Sequence, residues 1–106
     1  MSDVWPRYFE KYQCGKSDCH DSSTGRGFFR LQSLAGVMAP AAMTPVASWP
    51  AAWQANLRAV ELNLSCGNPP SSPVLAIPAG KSQPHPGGNV VTDVPDAESI
   101  FRTWLQ

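Results

Sequence analysis

The sequence predicts a small all-α domain with long irregular loops. Three segments, residues 3–13, 48–64 and 96–105, repeat apolar side chains at the spacing of one helix face. Between them the chain is rich in helix-breaking residues, with 11 prolines and 8 glycines among its 106 residues. A chain of this length has room for one hydrophobic core, so we expect residues 1–106 to form a single domain.

The first predicted helix spans residues 3–13 and carries an aromatic stripe. Asp3 is a residue type that caps helices, and Pro6 is acceptable because it falls in the first turn. The aromatic residues of the stripe are Trp5, Tyr8, Phe9 and Tyr12. We expect this face to pack on a core, and the helix leads directly into Cys14.

Residues 21–50 are predicted to be mostly irregular. A polar, glycine-containing stretch at 21–27 precedes a short apolar cluster of Phe28, Phe29 and Leu31. Residues 33–37 have the length of one helical turn, and residues 38–50 are rich in proline and alanine. Met38 and Met43 lie in this last stretch, and methionine more often fills gaps in a core than binds a metal.

The second predicted helix begins near Ser48, with Pro50 in its first turn. Its apolar face consists of Trp53, Leu57, Val60 and Leu64. It ends before residues 67–70, a Gly-Asn-Pro-Pro breaker, and Cys66 lies at that end as an ordinary small thiol. A short helix or turn is expected at residues 74–77, opened by Ser72 and Pro73.

The last helix follows a loop of little periodicity at residues 81–95. That loop contains His85, followed by a proline and two glycines that allow the backbone to approach a flat ligand closely. We expect Asp96 to cap the helix. Its apolar face consists of Ala97, Ile100, Phe101, Trp104 and Leu105.

Residues 14–20 carry the residue types for covalent attachment of a haem. Cys14, Cys19 and His20 form a C-x4-C-H motif, two residues longer than the usual C-x-x-C-H of c-type haem attachment. The thiols add across the two vinyl groups of the porphyrin, and the imidazole binds the iron from one side. We expect thioether bonds from both cysteines and His20 as the proximal ligand, its other ring N–H donating to a backbone carbonyl.

The opposite side of the iron has three candidate ligands. We favour His85, the only other histidine, over Met38 and Met43, and the alternative for it is a surface loop histidine that does not bind the iron. With both axial positions filled, the predicted activity is one-electron transfer and not enzymatic catalysis. Two imidazoles predict a lower reduction potential than histidine with methionine. An open position would instead allow ligand sensing or peroxide chemistry.

Two alternatives without haem remain open. Together with His85, the residues Cys14, Cys19, His20 and Cys66 contain enough nitrogen and sulfur for a structural zinc site. Adjacent residues such as Cys19 and His20 seldom both converge on one small ion. A disulfide between Cys14 and Cys19 in an exported binding module would leave His20 unexplained.

Charge, hydropathy and the absence of known motifs in the sequence count against several other classes of protein. Basic and acidic residues balance at 8 each, so nothing favours nucleic-acid or anionic-membrane binding. No apolar run approaches the roughly 20 residues of a membrane span. No hydrolase motif or glycine-rich phosphate loop occurs. We expect no secretory signal at the start of this chain, because Asp3, Trp5, Pro6 and Arg7 break any apolar run there.

The order of the segments resembles a class I c-type cytochrome, in which an N-terminal helix enters the haem motif and crosses a C-terminal helix. The second half is similar to cytochrome domains of large exported or surface-anchored bacterial proteins. The segments that carry this similarity are Ser71-Ser72-Pro73-Val74-Leu75, Pro78-Ala79-Gly80, His85-Pro86-Gly87-Gly88 and Ile100-Phe101-Arg102-Thr103-Trp104-Leu105.

This resemblance implies a small cytochrome c-like domain whose N- and C-terminal helices pack around one covalently bound haem c. It implies packing of Phe9 and Tyr12 against Phe101 and Trp104. It also implies redox partner proteins or neighbouring cytochrome domains as partners, and a periplasmic or surface-exposed location. Because such domains are exported, we expect this one to be excised from a longer exported protein.

Overall fold

The regular secondary structure in the described part of the chain is helical. A computed structural model describes residues 1, 3–15, 19–23, 29–65, 67–80, 85 and 90–105. These residues form a π-helix (Trp5–Glu10), α1 (Ala51–Glu61), α2 (Pro73–Ala76), α3 (Val94–Trp104) and 3₁₀ turns at Val46–Ser48 and Pro69–Ser71. Over the same residues there is no β-strand, only an isolated bridge between Asp21 and Leu31. The all-α prediction is confirmed at this level.

The chain divides into two compact units, Met1–Ala59 and Val60–Gln106, and the division falls inside α1. The prediction of a single domain over residues 1–106 stays a prediction. So does the packing of the first helix against the last.

The first unit begins with the π-helix, in place of the predicted α-helix at 3–13. Its N-cap is Val4, without a side-chain cap, so the prediction that Asp3 caps the helix is wrong. The N–H of Trp5 instead donates to the carbonyl of Met1 at 2.8 Å, a backbone bond that makes a side-chain cap unnecessary. Pro6 lies in the first turn as predicted, where its missing N–H removes no helical bond.

Aromatic side chains form the core of the first unit. Trp5, Tyr8 and Phe9 are buried, as the stripe predicted. The Trp5 ring stacks on Phe9 with centroids 5.3 Å apart and meets Trp53 edge-on at 6.1 Å. Rings of this size each bury a large apolar area, which makes them the main source of stability in a small unit. Leu31 is buried as well.

Helix α1 is shorter than the predicted segment 48–64. Pro50 precedes the helix, its carbonyl accepting the N–H of Gln54 at 3.1 Å, so it is not inside the first turn. Trp53, Leu57 and Val60 are buried as predicted. Leu64 lies beyond the end of the helix and is half-buried.

In the second unit, α2 begins where Ser72 and Pro73 predicted. Ser72 is buried, and its hydroxyl oxygen accepts the N–H of Ser65 at 2.7 Å. The N–H of Val74 donates to the carbonyl of Asn63 at 3.0 Å. These two bonds tie α2 to the segment after α1, and both α2 and α3 pack on the Pro69–Ser71 turn.

Helix α3 begins before the predicted position. Its N-cap is Asp93, whose Oδ1 accepts the N–H of Asp96 at 3.1 Å, so the prediction that Asp96 is the cap is wrong. With Asp93 as the N-cap, Pro95 falls in the first turn of the helix, where proline is favoured. The predicted apolar face is buried at Ala97, Ile100 and Phe101.

Candidate functional site

The backbone presents Cys14 at the end of the first helix through a Schellman motif. Gln13 adopts the left-handed conformation with φ 54°, its N–H donating to the carbonyl of Glu10 at 3.0 Å. The N–H of Cys14 donates to the carbonyl of Phe9 at 2.9 Å. A Schellman motif is defined by two such bonds, the outer one closing six residues and the inner one closing the four residues within them. The helix therefore stops abruptly and places Cys14 against its own last turn.

Both cysteines at the site are free thiols. Cys14 is buried and Cys19 is half-buried. Burial raises the pKa of the Cys14 thiol to about 12, and the nearby Cys19 adds to the rise. Cys14 is therefore a neutral thiol at physiological pH. The Cys19 thiol lies close enough to affect the ionisation of Cys14.

His20 is fixed by its backbone as well as its ring. Its N–H donates to the carbonyl of Cys14 at 3.0 Å, and its carbonyl accepts the N–H of Leu31 at 2.6 Å. The ring Nδ1 lies 2.7 Å from the carbonyl of Phe29. A carbonyl only accepts, so Nδ1 carries the proton, and in the neutral ring the lone pair is on Nε2. The prediction that a backbone carbonyl would hold the imidazole is confirmed.

Aromatic rings lie beside the His20 imidazole and near Cys14. The ring of Phe29 meets the imidazole edge-on with centroids 4.9 Å apart, and Phe29 lies 6.3 Å from Phe9. Tyr8 is buried on the Cys14 side, and burial raises the pKa of its phenol, with Cys14 and Tyr12 adding to the rise. The Cys14 thiol is therefore buried, and the half-buried imidazole packs against the ring of Phe29.

Two buried donors in the same unit lack a partner. The Tyr12 hydroxyl and the Trp53 Nε1 are buried atoms with no hydrogen bond within the described part of the chain. A buried donor left unpaired costs about 1–3 kcal/mol. A bound group with an acceptor oxygen beside these donors would remove that cost.

The remaining predicted site residues belong to other segments of the chain, and some of them are outside the residues that the structure describes. His85 is half-buried and belongs to the second unit. Met38 is 84% exposed and Met43 is 98% exposed. Cys66, Phe28 and the two glycines after His85 lie outside the described residues. The assignment of His85 as an iron ligand therefore stays a prediction.

The sequence interpretation missed one polar residue near the site. Asn56 is fully buried on α1, and its side chain holds the backbone of Gln32. A signal was present, because Asn56 falls on the same helix face as Trp53 and Leu57. A polar residue inside an apolar stripe indicates a specific buried hydrogen bond.

Within the described ranges, His, Cys, Asp and Glu side chains form no group of three or more that could hold a metal ion. Among the helices that the structure describes, none is long and apolar enough to cross a membrane.

The chain matches no protein-family model, no curated protein and no solved structure.

Proposed function

We propose that this chain is a monohaem electron-transfer domain of the c type. Cys14 and Cys19 hold the porphyrin through thioether bonds, and His20 binds the iron through Nε2. The observation that carries the proposal is the hydrogen bond from His20 Nδ1 to the carbonyl of Phe29 at 2.7 Å, beside two unpaired thiols. Metal-bound histidines almost always donate their second ring N–H in this way.

The protein groups around the motif have defined tasks in this proposal. The Phe29 carbonyl orients the imidazole and raises its basicity, which strengthens its bond to iron. Buried rings such as Phe9 and Tyr8 exclude water from the site, and burial is one of the properties that set a haem potential. The haem itself supplies the one-electron chemistry.

For the second axial position the proposal keeps His85. Two imidazoles leave the iron no open position, so the protein exchanges electrons and does not bind substrate. Its partners are then redox proteins or neighbouring cytochrome domains, outside the cytoplasmic membrane. Five-coordinate iron, with ligand sensing or peroxide chemistry, is the alternative if His85 does not bind.

The proposal is tested by expressing the full chain behind an export signal, in a host that attaches haem covalently outside the cytoplasmic membrane. We expect a red protein whose haem resists acid–acetone extraction and adds one haem to the mass. Cys14→Ser and Cys19→Ser should each lose one thioether bond, seen as a shifted band in the pyridine haemochrome spectrum. Cys66→Ser is the matched control and should leave that band unchanged.

The non-haem alternatives give different results in the same preparation. A colourless protein from a competent host would exclude the haem proposal. A zinc domain would contain stoichiometric zinc and unfold with a chelator. A Cys14–Cys19 disulfide would show as a loss of stability on reduction.

The second ligand is tested separately by His85→Ala. If His85 binds the iron, the spectrum should change from low-spin to high-spin. A spectrum that stays low-spin would show that another residue is the ligand, and Met38→Ala and Met43→Ala would then be the variants to make.

A further inference from the structure

The Asn56 side chain pairs with both backbone groups of one distant residue. Its Oδ1 accepts the N–H of Gln32 at 2.7 Å, and its Nδ2 donates to the carbonyl of Gln32 at 3.0 Å. Asn56 is fully buried and lies on α1, 24 residues further along the chain. The amide thus acts as a strand would, binding a peptide through both its donor and its acceptor.

The segment that Asn56 holds is the one that holds His20. Leu31, adjacent to Gln32, donates its N–H to the His20 carbonyl at 2.6 Å and accepts the N–H of Ser22 at 2.9 Å. Phe29, three residues before Gln32, provides the carbonyl for the His20 ring. Two longer side-chain bonds, from Arg30 Nη1 to the Asp21 carbonyl and from Ser22 Oγ to Gln32 Oε1, join the same segments at 3.4 Å. Residues 29–32 therefore contact the His20 segment at several points, and they contact α1 through the Asn56 amide.

We infer that Asn56 is a positioning residue for His20. Its two bonds to Gln32 fix the position of residues 29–32 relative to α1. The position of the Phe29 carbonyl relative to His20 Nδ1 follows from this. Because the strength of that bond sets the basicity of the imidazole, Asn56 tunes the iron ligand without contacting it. The effect on iron rests on the proposed function, whereas the effect on the His20 ring does not.

Gln54 offers a matched control on the same helix. Its side-chain amide also donates to a backbone carbonyl, that of Trp49 at 2.9 Å, but this carbonyl belongs to the segment before α1. Gln54→Ala and Asn56→Ala each remove one carboxamide from α1. Only the second removes a contact to residues 29–32.

The experiment is NMR of the full chain, with the haem reduced and diamagnetic where one is bound. Asn56→Ala should speed solvent exchange of the His20 Nδ1–H and of the Leu31 and Ser22 amides about tenfold or more, the effect of losing a buried hydrogen-bond partner. Gln54→Ala should change these rates less than about twofold. Equal rates in wild type and Asn56→Ala would overturn the inference.

A second measurement keeps the inference open to refutation if Asn56→Ala does not fold. In the wild-type protein, the amides of Gln32, Leu31 and Ser22 should exchange with protection factors that agree within about threefold, as one cooperative unit. A Gln32 amide that exchanges far faster than Leu31 would show that Asn56 does not hold the segment.

A bound haem adds a functional readout. A weaker bond to Nδ1 makes the imidazole a poorer electron donor, so Asn56→Ala should raise the reduction potential relative to Gln54→Ala. Failure of the haem proposal would appear as a colourless protein, whereas failure of the Asn56 inference would appear as unchanged exchange rates.

Discussion

Gln13→Gly is expected to stabilise the protein, although it removes a whole side chain. Gln13 has φ 54° at the position of the Schellman motif that glycine usually occupies. A left-handed backbone conformation costs a non-glycine residue roughly 1–2 kcal/mol, and glycine at this position removes that cost. Glycine also makes the unfolded chain more flexible, which lowers the free energy of unfolding by about 0.5–1 kcal/mol. We therefore expect a net gain of about 0.5–1 kcal/mol in the free energy of unfolding.

Urea denaturation followed by circular dichroism measures this gain. With a denaturant slope of about 1 kcal/mol per molar, the midpoint should rise by about 0.5–1 M. Gln13→Ala keeps the Cβ and should show no such rise. Inside α1, Gln54→Gly should be about 0.5–1 kcal/mol less stable than Gln54→Ala, since both lose the side-chain amide and glycine is the poorer helix former. A lower midpoint for Gln13→Gly would refute the assignment of strain to this position.

Two further predictions concern pH and capping. Burial raises the pKa of Tyr8 in the folded state, so above about pH 10 only the unfolded state ionises there and stability falls with rising pH. Relative to Tyr8→Phe, the wild-type free energy of unfolding should drop by about 1.4 kcal/mol per pH unit above pH 10, measured by urea titration, and parallel curves would contradict this. At α3, Asp93→Ala should cost about 1 kcal/mol through loss of the N-cap. Asp96→Ala should cost clearly less, and equal losses in thermal denaturation would mean that the two carboxylates share the cap.

Periodicity predicted the helix faces better than the helix ends. Trp53, Leu57 and Val60 are buried because an apolar stripe must cover a core, and this depends only on spacing. The ends depend on competition between neighbouring caps. Asp93 and Asp96 are equally good caps by residue type, and the position of Pro95 decides between them in the folded backbone.

The sequence predicted the type of contact that His20 makes, but not which residue provides it. A contact between the His20 ring and a backbone carbonyl was expected from how imidazoles bind metals, and the contact is present. Metal binding by His20 stays a prediction. That the acceptor is Phe29 depends on how residues 29–32 are held by Asn56, which involves contacts across 24 positions. Gln13 gave no signal at all, because glutamine is not a residue type that indicates left-handed backbone.

The hydrogen bond from the His20 N–H to the Cys14 carbonyl has a bearing on the unusual length of the motif. It clamps the two ends of a seven-residue segment, whereas C-x-x-C-H spans five. Because the bond joins two backbone atoms at the ends of the segment, it connects Cys14 and His20 although the segment is two residues longer. The anchoring of Cys14 to His20 therefore does not depend on which side chains lie between the two cysteines.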